Sequence, residues 1–344
     1  VIRFLIPIAI YFVAEYFCGA IAAMAVAIAY STIELIIKYI RTKKIDSSPC
    51  IDIALIGLFG FAEHITNGIE GLMYVVLPIV VALLMLASLL TPLDLFASIG
   101  GSYMKKIQRS PFNQMNMRKS MLRMLVWCVI MAILEAIVYI KPSITHKYSE
   151  YQLFVVVVVL LAYIATEFVV GHINRRKYKN CEWVPLMNEN AEIVGVAPRP
   201  LVHNGSLWLH PVVHLHVIHN HKLLLQLRPK TKKIQPNKWD TAVGGHITAQ
   251  EKLEDALRRE AWEEIGLRDF KARLQARYVW RSDVEHEYVF SFVTENAGPF
   301  RTINEGEVEE LRFWSKQELL DNIDRGAFTP NLVHELQSSI LALL

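Results

Sequence analysis

Glu260, Glu263 and Glu264 crowd the end of one charged stretch, GGHITAQEKLEDALRREAWEEIGL, Gly244 to Leu267. Taking about 100° per residue around a helix axis, with Leu253 at zero, Ala256 and Leu257 fall at about −60° and +40°. Glu260, Glu264 and Glu263 follow at about −20°, +20° and −80°. The face that buries apolar side chains in the first turns therefore presents carboxylates in the later ones. Carboxylates on a half-buried face repel each other and lose hydration unless a cation joins them. Oxygen-only donors suit Mg2+ or Mn2+. Arg259 is placed to offset or orient one carboxylate. Thr248 and Glu251 have the spacing of a capping box at the start of this helix, and Gly266 supplies its stop.

The spacing is that of a known motif. Gly245, Glu251, Arg259, Glu260, Ala261, Glu263, Glu264, Gly266 and Leu267 fill its fixed positions, with Ala261 small for its slot. The stretch resembles the Nudix box. The resemblance implies metal binding by Glu260, Glu263 and Glu264, with Glu251 assisting; family members differ in which glutamate acts as base, with Glu264 one candidate to orient the water and Glu285 or Glu287 another. NENAEIVGVAPR, HPVVHLHVI and LLQLRPKTKKIQPNKWDTAVGGH carry the likeness outside the box, over about residues 186–314. That wider stretch resembles the Nudix branch containing isopentenyl-diphosphate isomerase and related hydrolases. The isomerase has a catalytic cysteine in the segment matching Trp239–Gly245, and here WDTAVGG holds none. His246 and the acidic pair Glu285 and Glu287, which share a strand face, are isomerase-like features that remain.

The elements that must position these residues are legible as strands around the one charged helix. Residues 186–198 read as two short strands about an Asn/Glu turn. His210–Ile218 and Lys222–Arg228 read as a hairpin about His219-Asn220-His221, and Lys230–Trp239 as a basic loop. Strands are expected at 270–280, 286–294 and 310–314. Ser315 and Glu318 form a second capping box, for a helix over 316–324, and Pro330 opens a last helix over 330–343. Mixed strands flanked by helices make a compact α/β domain, of the Nudix type by resemblance. His210, His214, His216, His219 and His221 alternate along the hairpin, which favours structural or substrate-edge roles, with His214 or His246 able to touch the site.

The other half of the chain is of a different kind. Hydrophobic residues make up 53% of the 344 and charged residues 20%, and apolar runs crowd the first half. Apolar segments lie at 3–17, 19–40, 51–66, 71–91, 120–140 and 151–172, and 3–17 and 51–66 are short for a bilayer. Basic residues follow the second, fourth and sixth segments: Arg41, Lys43 and Lys44; Lys105, Lys106, Arg109, Arg118 and Lys119; Arg175, Arg176, Lys177 and Lys179. Six crossings put all three clusters, and the N-terminus, on the cytoplasmic side. Glu15, Glu34, Glu63, His64, Glu135 and Glu167 lie in or near these segments, where carboxylates are expensive. The pattern over Phe4–Arg41 resembles the bacterial intracellular septation protein A family, which implies an envelope setting and no chemistry.

The expectation is a multispan helical membrane domain over 1–178 with about six segments, then a cytoplasmic Nudix hydrolase domain over 179–344, in a bacterial inner membrane. The scattered Cys18, Cys50, Cys128 and Cys181 have neither metal spacing nor a disulfide framework, and a net charge of +3 gives no case for nucleic acid. The expected reaction is Mg2+-dependent cleavage of a diphosphate, in a small molecule or a lipid-linked substrate, with Mn2+ as the alternative ion. Arg259, Glu260, Glu263, Glu264 and Glu287 are the catalytic candidates, with Glu251 and Glu285 added for the metal. Arg228, Lys230, Lys233, Gly244, Gly245 and His246 are the substrate-side candidates. An isomerase of isoprenoid diphosphates and a nucleotide-sensing membrane protein without turnover are the alternatives. Oligomeric state leaves no trace in the sequence.

Overall fold

The structure is a computed structural model that describes residues 6–7, 10–11, 13–14, 17–42, 53, 56–57, 72–90, 110–140, 148–303 and 306–344. The chain divides into two compact units, Val1–Lys179 and Asn180–Leu344.

The first unit is helical: α1 (Ala20–Thr42), α2 (Leu72–Leu90), α3 (Pro111–Ile140) and α4 (Tyr148–Lys177). Three helices, Ile21–Arg41, Pro111–Ile140 and Phe154–Lys177, are long and apolar enough to cross a membrane. Six crossings were expected, and among the described residues three are found. The fourth expected segment forms α2, whose apolar run Tyr74–Leu90 is shorter and carries Pro78 inside the helix. The segments 3–17 and 51–66 lie largely outside the described residues. Large apolar side chains such as Leu122, Val126, Ile133, Leu161 and Phe168 face outward on α3 and α4, as a lipid-facing surface requires. Between α3 and α4, Arg123 donates to both oxygens of Glu167, at 2.6 and 2.9 Å, and the Ser120 hydroxyl donates at 3.1 Å. Glu167 is therefore matched by a fork-shaped cation at its own depth, which removes most of the cost of placing a carboxylate there. Glu34 pairs with Lys38 one turn on, and Glu135 is fully buried. Glu15, Glu63 and His64 lie outside the described residues.

The second unit begins with an antiparallel hairpin, β1 (Trp183–Met187) and β2 (Ile193–Pro198). Asn188 closes its turn by accepting backbone N–H groups of Asn190 and Glu192. A kinked helical turn, 199–206, leads to β3 (His210–His219) and β4 (Lys222–Leu227). Asn220 and His221 both take positive φ, at 50° and 56°, which gives the hairpin a tight two-residue turn. Then come β5 (Trp239–Thr241), β6 (Val243–His246), α5 (Leu253–Ile265), β7 (Arg273–Arg281), β8 (His286–Glu295), β9 (Glu310–Ser315), α6 (Lys316–Asn322) and α7 (Pro330–Glu335), which continues as a wider turn over Leu336–Ile340.

The sheet is mixed. β3 runs parallel to β8 along one edge, His210 to Ile218 against Glu287 to Glu295. Its other edge is split: Val212–Leu215 pair with β6, and Val217–His219 pair with β4. β4 in turn carries β5 and β9. One face buries Val213, Leu215 and Val217 against Ala256, Leu257, Ala261 and Ile265 of α5. Leu223, Leu225 and Trp314 pack instead against Leu319 of α6 and Leu332, Leu336 and Ile340 of the last helix. Helices thus cover both faces.

The two expected caps differ in outcome. Ser315 is a full capping box: its side chain accepts the Glu318 N–H, while Glu318 reaches back to the Ser315 N–H at 2.8 Å. Thr248 is not the cap of α5. That helix starts at Leu253 after Lys252, with no side-chain cap. Glu251 does bond the Thr248 N–H and hydroxyl, both at 3.0 Å, but it clasps the loop ahead of the helix. The Thr248 hydroxyl donates to Glu251 instead of accepting a helix N–H, and the Glu251 N–H goes to the Thr248 carbonyl, closing a turn that ends before the helix begins. Gly266 ends α5 in the left-handed region, φ 67°, as expected.

Candidate functional site

A cavity of about 1010 Å³ opens in the second unit, on the carboxylate side of α5. Glu260, Glu263 and Glu264 reach it from α5, Glu285 and Glu287 from the β7–β8 connection and β8, and Gly244, Gly245 and His246 from β6. Arg228, Lys233 and Arg259 also line it. Of the candidate catalytic, metal and substrate residues, Glu251 and Lys230 do not. Lys230 is exposed on its loop.

Glu264 is 7% exposed and accepts two hydrogen bonds on one oxygen, from the Gly244 N–H and the Gln226 amide, both at 3.0 Å. Burial, then the charge of Glu260, pushes its pKa up to about 8. Glu260 is raised too, chiefly by burial. Gly245 leaves room for it: a Cβ there would stand 2.0 Å from Glu260 Cδ. Glu263 is the outermost of the three, half-exposed at the cavity rim.

Arg259 organises the group. It donates to Glu251 at 2.8 and 3.0 Å, to Glu260 at 2.7 Å, to Glu263 at 3.2 Å and to the His246 carbonyl at 2.9 Å. The Glu251 bond is foremost in raising its already high pKa further. Burial works against the Glu251 charge, but Arg259 and Thr248 hold that carboxylate below its ordinary value. Glu251 thus fixes the arginine, and the arginine fixes two of the three cavity glutamates.

A second donor set sits in the same cavity's surroundings. His203, His210 and His246 bring one ring nitrogen each within 4.8 Å of the others. His203 Nε2 and His246 Nε2 are 2.9 Å apart, and the His210 and His246 rings stack at 5.2 Å. His210 Nδ1 lies 2.9 Å from the Trp208 carbonyl, which can only accept, so Nδ1 carries the proton and Nε2 keeps its lone pair. That Nε2 is buried without a hydrogen-bond partner, as is Glu287 Oε2. Burial lowers His210 to about 4 and His246 well below its ordinary value, so both rings are neutral. Glu285 lies 3.7 Å from His203 Nδ1; burial opposes its charge, but His203 and His210 hold its pKa down. Glu287, across the sheet register from His210, is raised to about 8 by burial and by Glu285.

His203 went unnoticed in the sequence. It falls in an irregular turn, 43 residues from His246, where no periodicity reports on direction. Gln226, Asp240 and Glu335 were also missed. Asp240 accepts from Arg228 at 3.0 Å and from Thr329 at 2.8 Å, which ties the basic loop to the start of the last helix.

Fold and site define a mixed-sheet α/β domain with a carboxylate-lined cavity. The family described as the NUDIX domain matches residues 208–334. An uncharacterized Nudix hydrolase of Escherichia coli strain K12, YfcD, is 29% identical over 164 residues, covering 47% of this chain and 88% of that protein. An uncharacterized Nudix hydrolase of Listeria monocytogenes is 30% identical over 151 residues, 43% of this chain and 88% of its own length. An isopentenyl-diphosphate Delta-isomerase of Corynebacterium efficiens is 30% identical over 169 residues, 45% of this chain and 88% of its own. The chain belongs to the Nudix hydrolase family, and its second half is an enzyme domain of the pyrophosphohydrolase type.

Proposed function

We propose that the protein is a membrane-tethered hydrolase that cleaves the diphosphate linkage of a nucleoside-diphosphate derivative or a related, lipid-linked diphosphate. The observation that carries this reading is the convergence of five carboxylates, Glu260, Glu263, Glu264, Glu285 and Glu287, on one cavity. The organisation proposed is a helical membrane domain over 1–178 with about six segments and a cytoplasmic domain over 179–344, in a bacterial inner membrane. Basic clusters after the second, fourth and sixth apolar segments support that orientation. The likeness of Phe4–Arg41 to the septation protein A family adds a setting and no chemistry.

The residues present fit a divalent cation. The glutamate oxygens suit Mg2+ or Mn2+, and the imidazole nitrogens of His203, His210 and His246 suit a transition ion. The partnerless Glu287 Oε2 and His210 Nε2 are the kind of buried atoms such an ion satisfies. Glu260, Glu263 and Glu264 would hold Mg2+ or Mn2+, and the histidines with Glu285 and Glu287 a second ion. When bound, a divalent cation neutralises charge on phosphate oxygens and makes water more acidic. The chain supplies the rest. Ionised once the cation is held, Glu264 takes up a proton from the attacking water. Gln226 and the Gly244 N–H fix the carboxylate that does so. Arg259 holds Glu260 and Glu263 in place, and Lys233 offers charge to a phosphate at the rim.

The test is turnover by the purified full chain in detergent, with Mg2+, Mn2+ or Zn2+, against nucleotide sugars, dinucleotides, oxidised nucleotides and lipid diphosphates. Release of a monophosphate product from one class is expected; no release from any of them would sink the proposal. A second reading, isomerisation of a five-carbon isoprenoid diphosphate, draws on the C. efficiens relative and on the histidine–glutamate set. A direct interconversion assay separates the two, and the cysteine-free WDTAVGG segment weighs against isomerisation.

Cation binding also carries a pH signature. Glu264 and Glu287 titrate near 8, above the ordinary 4.5, so the stability each contributes is complete below about 4.5 and is lost as pH rises through 8. A cation requires both ionised and must displace their protons at lower pH. The rise in Tm on adding Mn2+ should therefore be larger at pH 8.5 than at pH 6. Equal rises in a thermal-shift series would remove these two carboxylates from the cation site.

A further inference from the structure

A diphosphate is a polyanion, yet most cations around the cavity are already committed. Arg199 pairs with Glu182, Arg228 with Asp240, Lys232 with Glu307, and Arg259 with Glu251, Glu260 and Glu263. Lys233 is exposed at the rim. In the floor lies His214, a residue of β3 that is 4% exposed and lines the cavity. Its Nδ1 is 3.0 Å from Glu335 Oε2, on the last helix 121 residues away. Its other edge faces Gly244: a Cβ built there would stand 3.7 Å from Cδ2 and 3.9 Å from Nε2 of His214. Gly244 is also the residue whose N–H holds Glu264.

We infer that His214 is a substrate-binding residue whose Nε2–H donates to a phosphate oxygen of the bound diphosphate, and that Glu335 is the positioning residue that fixes its ring. The inference rests on the hydrolase reading and gives it a phosphate subsite in the cavity floor, beside Gly244.

The geometry determines which nitrogen carries which proton. Glu335 is 1% exposed and holds two histidines, with His216 Nε2 3.1 Å from the same oxygen as His214 Nδ1. Burial alone would neutralise Glu335, but His214 and His216 keep it a carboxylate, well below its ordinary pKa. A carboxylate accepts only, so His214 Nδ1 must donate to it. Burial disfavours charge on His214, yet Glu335 overrides this and raises it to about 9, so Nε2 also carries a proton. The ring is then a buried, fixed donor with a formal charge, the kind of hydrogen bond that is strongest toward a phosphate. Asp240 adds to the field that keeps it charged. A purely structural network, tying the last helix to the sheet, would use Glu335 in the same way but would leave anion binding untouched.

The experiment measures binding of methylene diphosphonate, which cannot be hydrolysed, to the full chain in detergent with Mg2+, by calorimetry. His214→Gln keeps a donor for Glu335 and removes the charged Nε2 edge. It should weaken diphosphonate binding about 10- to 100-fold, with the Mn2+-induced rise in Tm preserved. His216→Gln, which disturbs the same carboxylate from its far side, should weaken it less than about threefold. Glu335→Gln provides a second variant should His214→Gln fold poorly, and it should also lower affinity. Parent-level affinity in a folded His214→Gln, or equal losses in His214→Gln and His216→Gln, would overturn the subsite and leave the hydrolase reading intact. No diphosphonate binding by the parent itself would overturn both.

Discussion

Glu264→Gln lowers the rate of diphosphate hydrolysis by about 10²- to 10⁴-fold, the range for losing a positioned general base. The same variant melts within about 1 kcal/mol of the parent at pH 7. Both expectations come from the same facts. Glu264 is buried, with one oxygen accepting from Gln226 and Gly244, and titrates near 8. At pH 7 it is mostly protonated in the cation-free protein, so a neutral amide of the same shape replaces it at little cost. The amide oxygen can still accept from both donors. It cannot take up a proton, and its NH2 group repels a cation where the second carboxylate oxygen would attract one. The checks are initial rates with the substrate that the parent hydrolyses, a melting curve, and the rise in Tm with Mn2+, which should shrink. Parent-like turnover would remove Glu264 from the chemistry.

Gly245→Ala is the second large effect, and it should separate function from stability. An added Cβ would stand 2.0 Å from Cδ and 2.4 Å from Cγ and Oε1 of Glu260. Those atoms end a flexible side chain, so the fold gives way there rather than in the backbone. Glu260 swings out, losing its 2.7 Å bond from Arg259 and its place in the cavity. Metal affinity should fall about 10- to 100-fold, the usual scale for displacing a metal site's support, with turnover falling alongside. Stability should drop by no more than about 1–2 kcal/mol, the cost of modest overpacking. A double variant with Glu260→Ala gives the decisive reading. If glycine acts only through the glutamate, the pair loses no more metal affinity than Glu260→Ala alone. A further additive loss would mean that Gly245 matters for another reason, such as approach of the phosphate to the backbone.

The sequence by itself determined what local chemistry and periodicity can express. The carboxylate face of α5 follows from a repeat of 3.6 residues, and Gly266 ends that helix because a left-handed residue is needed there. Ser315 and Glu318 stand three apart and cap each other, as the spacing requires. Composition called for about six apolar segments; among the described residues those at 19–40, 120–140 and 151–172 form span-length helices, while 71–91 forms a shorter one. The box fixed the family, since its glycines and glutamates answer to a single local geometry.

Tertiary structure decided the rest, because partners far apart in the chain compete for the same groups. Glu251 had the spacing of a cap, but its carboxylate clasps both the Thr248 loop and Arg259, and the helix begins only at Leu253. Glu263 belongs to the motif by spacing, yet it stays half-exposed at the rim while Glu264, the next residue, is buried. His203, His210 and His246 meet only because a kinked turn folds over the first residues of β3 and the end of β6. His214 acquires its charge from Glu335, which arrives with the last helix, across 121 residues. Periodicity tells which face a side chain takes; which carboxylate waits opposite, and whether water is left between them, is settled only when the sheet and its covering helices close.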